Sequence, residues 1–113
     1  MKAGRELDAL VAEHVMGWVW GIDDDGFQYL VPADWDEYMV PAVPHYSTRI
    51  QDAWQVVEKT KLLDDFELTK DGPMYQFGHY GEYGFDEWTL YAEADTAPLA
   101  ICLAALKAVG YED

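Results

Sequence analysis

The spacing of apolar positions changes along this chain, and each spacing predicts an element. Leu7, Leu10, Val11, His14 and Val15 fall on one helical face. Gly17 supplies a stop, because glycine accepts the left-handed backbone that follows a helix end. The pattern then turns to aromatic and β-branched residues. "WVWGI" and "FQYLV" flank "DDDG", which predicts a β-hairpin closed by an Asp-Gly turn. Residues 32–47 hold Pro32, Pro41 and Pro44 and predict a long ordered loop, since each proline removes a backbone donor. Trp35 and Tyr38 sit among its acids, as pocket lining or as core packing. A second helix runs from about Arg49 to Lys61, with Ile50, Ala53, Trp54 and Val57 on one face.

Three strands follow. "DFELT" alternates, "DGP" turns the chain, and "MYQFGH" returns it. "YGEYG" turns it again into "FDEWTLYAEA", whose broken alternation allows a bulge or burial on both sides. The last helix opens at Thr96 as N-cap, carries Pro98 in its first turn and stops at Gly110. Between Ala97 and Val109 only Lys107 is charged, which predicts a buried helix with Cys102 packed as a small hydrophobe. The order α-ββ-α-βββ-α indicates an α+β fold, a layered sandwich in which helices cover antiparallel sheet. With 113 residues, positions 1–113 form a single domain.

Charge changes the picture of partners. The chain carries 22 acidic residues against seven basic ones, a net charge of −15. Non-specific contact with nucleic acid or an anionic membrane needs clustered Lys and Arg, so neither is expected. The field suits a basic partner protein, or imitates nucleic acid; the plainer reading is that it keeps an aromatic-rich surface soluble. Five Trp, eight Tyr and four Phe argue for a folded chain. One cysteine excludes an intramolecular disulfide and any cysteine-based metal cluster. The N-terminal segment does not read as a signal peptide, and no uncharged apolar run reaches membrane-spanning length. A cytoplasm is the expected compartment.

Candidate chemistry is sparse. His14, His45 and His79 have no ligand spacing, and "GHYGEYG" is not a dinucleotide fingerprint. It reads as an aromatic-rich turn, with a loop presenting Tyr80 and Tyr83 as the alternative. Asp23, Asp24 and Asp25 miss the calcium-loop pattern, because its ligands alternate and a Glu closes it. No catalytic residue, metal or cofactor is assigned. The best local candidate is "PHYSTRIQDAW", residues 44–54. Thr48 and Gln51 have capping-box spacing, Ser47 is an alternative cap, and Arg49 can pair with Asp52. The same geometry offers first-turn amides, a helix dipole and Arg49 to a phosphate or carboxylate, with His45 and Tyr46 as donor and stacking face.

"LVAEHVMGW", "YSTRIQDAWQVVEK" and "ADTAPLAICLAALKAVG", in this order, resemble the phage ABA sandwich domain family, from about residue 6 to 110. Where the family pattern commonly carries an acid, this chain has Arg49. The resemblance implies a bacteriophage or prophage origin and a layered α/β fold, and no known reaction. Its context is a small accessory protein in the host bacterial cytoplasm, acting against host defence. Two mechanisms suit such a protein. One is a non-enzymatic sponge, a homo-oligomer that sequesters a nucleotide-derived immune signal through His45, Tyr46, Ser47, Thr48, Arg49, Trp18 and Trp88. The other is an acidic inhibitor that binds a basic host defence protein. An enzyme has the least support.

Overall fold

The computed structural model describes residues 1–36, 39–60, 67–80 and 88–111. The start of "DFELT", the turn at 81–84, the opening of "FDEWTLYAEA" and Tyr38 lie outside the described residues.

The first helix, α1, spans Arg5–His14. Past it the chain reverses at Gly17, whose φ is +82°, and the Met16 and Trp18 amides fold back onto the Val11 and Ala12 carbonyls. Strands β1 (Val19–Ile22) and β2 (Gln28–Val31) pair antiparallel as a two-stranded sheet. Their turn uses each residue of "DDDG" differently. The Gly26 amide donates to the Asp23 carbonyl, and the Asp23 amide to the Phe27 carbonyl. Gly26 sits at φ +88°, so a three-residue loop closes through a left-handed glycine. Asp23 Oδ1 accepts from the Asp25 and Phe27 amides at 2.9 Å each. The Asp run is thus in part turn chemistry, and among the described residues no acidic or histidine cluster could hold a metal ion.

Helix α2 spans Ile50–Thr60 and buries Ala53, Val56 and Val57. Ile50 and Trp54, predicted on the core face, are instead 46% and 40% exposed. The buried stripe is narrower than the apolar one and turned toward Val56, on a helix that packs on the last helix. Strands β3 (Glu67–Asp71), β4 (Met74–Tyr80) and β5 (Trp88–Ala94) form a three-stranded antiparallel sheet in chain order. Phe77 pairs with Ala92 while Gly78 pairs with Leu90, so Tyr91 is an extra residue in β5. That bulge is the irregularity which the broken alternation of this strand announced.

Helix α3 spans Ala97–Ala108, capped by Thr96, whose side chain accepts from the Leu99 amide. It buries Ala100, Ile101, Cys102, Ala104, Ala105 and Leu106. Burial all round follows from its position: α3 packs on β4 and β5, and also on α1 and α2. Helices thus pack on both sheets, α1 against β2 and α3 against the three-stranded sheet. The long axis is 55 Å, and the radius of gyration of 15.5 Å exceeds the about 13 Å of a compact chain this long. The core draws on Leu7, Val11, Leu30, Phe77 and Ile101, contributed by α1, β2, β4 and α3.

Cys102 is fully buried. Burial first, and the Asp8 carboxylate second, push its thiol up, which keeps it protonated and unreactive at neutral pH. Iodoacetamide at pH 7.5 is expected to leave the native protein unmodified over an hour and to alkylate it fully in urea. Rapid alkylation without urea, read by mass spectrometry, would show that α3 opens easily.

Candidate functional site

The stretch from His45 to Arg49 folds into the protein. Tyr46 is 1% exposed and Ser47 0%, and Tyr46 heads the fully buried side chains by volume. The Arg49 carbonyl accepts from the Ala53 amide, so α2 begins one residue later than a Thr48 cap would place it.

Ser47 belongs to a polar cluster centred on α1. Its amide donates to Asp8 Oδ1 at 2.8 Å and its hydroxyl to the same oxygen at 2.6 Å. The hydroxyl also accepts from the Gly4 amide at 2.9 Å. Asp8 Oδ2 takes Arg5 Nη1 at 2.8 Å. The Arg5 guanidinium reaches onward to the Val43 and Pro44 carbonyls and to His45 Nδ1. Guanidinium only donates, so His45 Nδ1 is the acceptor of that contact. Asp52 Oδ2 accepts from the His45 amide at 2.8 Å. The carboxylate expected to pair with Arg49 is thus used one turn back along the chain.

This cluster clasps α1 to the approach of α2. Its effect on an anion at the helix start is unfavourable. The Ser47 amide and the His45 acceptor nitrogen are committed, and two carboxylates, Asp8 and Asp52, stand beside them. Burial, then the Asp52, Cys102 and Asp8 charges, push the Tyr46 phenol up to about 12. Its ring offers no stacking face to solvent.

The other predicted site residues lie apart. Thr48 and Arg49 are exposed at the start of α2. Trp18 is half-buried against the core, and Trp88 opens β5. A cavity of about 310 Å³ is lined by Met1, Lys2, Glu6, Leu7 and Leu10, and none of residues 45–49 reaches it. Sequence reasoning missed Asp8. Its signal was present: a carboxylate in line with Ala12 and Val15, on the buried side of α1.

Apolar surface gathers elsewhere. On the hairpin, Trp20 is 51%, Ile22 67% and Phe27 70% exposed. Met39, farther along, is 76% exposed. Trp20 pairs with Leu30 and Ile22 with Gln28, and only Leu30 of these four is buried. Gly21 lies under the Tyr29 ring, where a Cβ would come within 2.7 Å of Tyr29 Cζ. The missing side chain lets the ring lie flat across β1. From Gly17 to Thr48 the chain has six carboxylates and no Lys or Arg. The hairpin is therefore an apolar surface tipped by Asp23, Asp24 and Asp25.

Two antiparallel sheets with helices packed on them define an α+β sandwich protein. The chain belongs to the phage ABA sandwich domain family, whose pattern it matches over residues 9–106. Among solved structures it is similar to a phage protein from Bacillus cereus, at 29% identity and a TM-score of 0.60. That alignment covers 99% of this chain and 94% of the other. No curated protein matches the chain significantly. Among the described residues no helix is long and apolar enough to cross a membrane.

Proposed function

We propose that this protein is a non-enzymatic binding protein that docks its β1–β2 hairpin on a basic partner protein, as a phage counter-defence inhibitor in the host cytoplasm. The observation that carries this reading is the exposure of Trp20, Ile22 and Phe27 around an Asp turn. Large apolar residues exposed together mark interaction sites, and tryptophan is prominent among residues that dominate binding. The acidic rim adds attraction to a basic surface and repels acidic competitors. Sequestration of a nucleotide-derived signal draws less support, since Tyr46 and Ser47 are buried and carboxylates flank that helix start.

The test is affinity capture from host lysate with wild type, Trp20→Asp/Ile22→Asp and Arg49→Glu. The expected result is a basic protein held by wild type and by Arg49→Glu, and at least tenfold depleted with the hairpin variant. Its recovery falls as salt rises from 50 to 500 mM. Thermal melts check that the hairpin variant folds. Equal capture by the hairpin variant overturns the reading. Cyclic nucleotide binding that Arg49→Glu abolishes would restore the sponge.

A further inference from the structure

Resting on that protein-binding reading, the backbone of the hairpin points to how the partner is held. The Asp23 amide is directed at the Phe27 carbonyl. Antiparallel pairs alternate between bonded and non-bonded positions, so Gly21 and Val19 likewise face β2. The amides and carbonyls of Trp20 and Ile22 then face away from β2, along the outer edge of β1. The sheet has two strands, so that edge is unpaired among the described residues. β2 is the strand that touches α1 and buries Leu30, which leaves β1 outermost. The residues with outward backbone groups are the same two whose side chains are exposed, Trp20 and Ile22.

An unpaired edge is a template for another strand, and native proteins commonly blunt such edges with lysine, proline or a bulge. β1, "VWGI", has none of the three. A two-stranded ribbon is also marginal in water, and a third strand supports it. We infer that β1 accepts an extended segment of the partner as an added strand, alternating apolar with Lys or Arg residues. Its backbone would pair with Trp20 and Ile22, and its cations would meet Asp23, Asp24 and Asp25. Charge selects this occupant: a second copy of this chain would bring a second acidic hairpin with no Lys or Arg to answer it.

The probe is a blocked ten-residue peptide of alternating valine and lysine. Two controls go with it: the same peptide N-methylated at every second residue, and a valine–glutamate version. Binding is read by fluorescence anisotropy, and amide exchange by NMR on the full chain. The valine–lysine peptide is expected to bind and to slow exchange at Trp20 and Ile22 at least tenfold. N-methylation weakens it at least tenfold, and the glutamate version does not bind. Absent binding at millimolar peptide, indifference to N-methylation, or unchanged exchange at Trp20 and Ile22 overturns strand addition. So does a peptide-free dimer in sedimentation that protects these amides, since the edge then belongs to a second copy. If these arms fail while lysate capture still depends on Trp20 and Ile22, docking on the hairpin stands and only strand addition falls. If capture ignores the hairpin, the protein-binding reading itself is lost.

Discussion

Replacing Asp8 by alanine is expected to destabilise the fold by about 3 kcal/mol. The carboxylate is fully buried and serves two partners through one oxygen, the Ser47 amide and hydroxyl. Alanine leaves the Ser47 amide without its acceptor, in a place that excludes water, and such a group costs more than the lost bond gained. The Arg5 side of the cluster contributes less. The Arg5 side chain is 51% exposed, so solvent screens its pairing with Asp8. Arg5→Met is accordingly expected to cost under about 1 kcal/mol. Asp8→Asn keeps the shape and one acceptor oxygen and should fall between the two. Urea unfolding of the three variants measures this order. Asp8→Ala within error of wild type would mean that the clasp between α1 and the start of α2 adds nothing to stability.

Alkali is expected to produce the second large effect. The Tyr46 phenol is raised in the fold from 10.0 to about 12, and the Cys102 thiol is also raised, from 9.0. In each case the unfolded chain loses its proton first. The stability linked to Tyr46 is therefore whole below pH 10 and drains as pH rises through about 12. Cys102 follows the same sign, starting near pH 9. Tyr46 by itself accounts for about 2–3 kcal/mol across its window. Urea midpoints at pH 8, 10 and 11.5 should fall steeply for wild type and much less for Tyr46→Phe/Cys102→Ala. The double variant begins from a lower midpoint, because Cys102→Ala leaves a small cavity, but that offset does not depend on pH. Parallel decline of both proteins would place the alkaline sensitivity in other groups.

Tyr46 is also a residue that the chain alone misplaces. Tyr46 looked like a stacking face because it stands beside Ser47, Thr48 and Arg49 in a polar stretch. In the fold it fills the core. Ser47 looked like a cap for its own helix and instead binds Asp8, 39 positions earlier. The hairpin was legible as "WVWGI" and "FQYLV" around an Asp-Gly turn, but that Trp20 and Ile22 stand more than half exposed on it was not. α2 shows the same limit: its apolar stripe was legible, but Ile50 and Trp54 on it stay exposed.

What the sequence determined by itself is the set of elements and their order. Periodicity, Gly17, the "DDDG" turn, Thr96 with Pro98, and Gly110 all act within a few residues. Local sterics and hydrogen bonds decide them, so neighbours in the chain suffice. The phage ABA sandwich pattern was legible for the same reason, as three such segments in fixed order. Only the tertiary structure decided which apolar residues are covered and which polar groups are satisfied. Burial depends on what lies across from a side chain, and the groups that pack on Tyr46, answer Asp8 or leave Ile22 bare are distant in the chain.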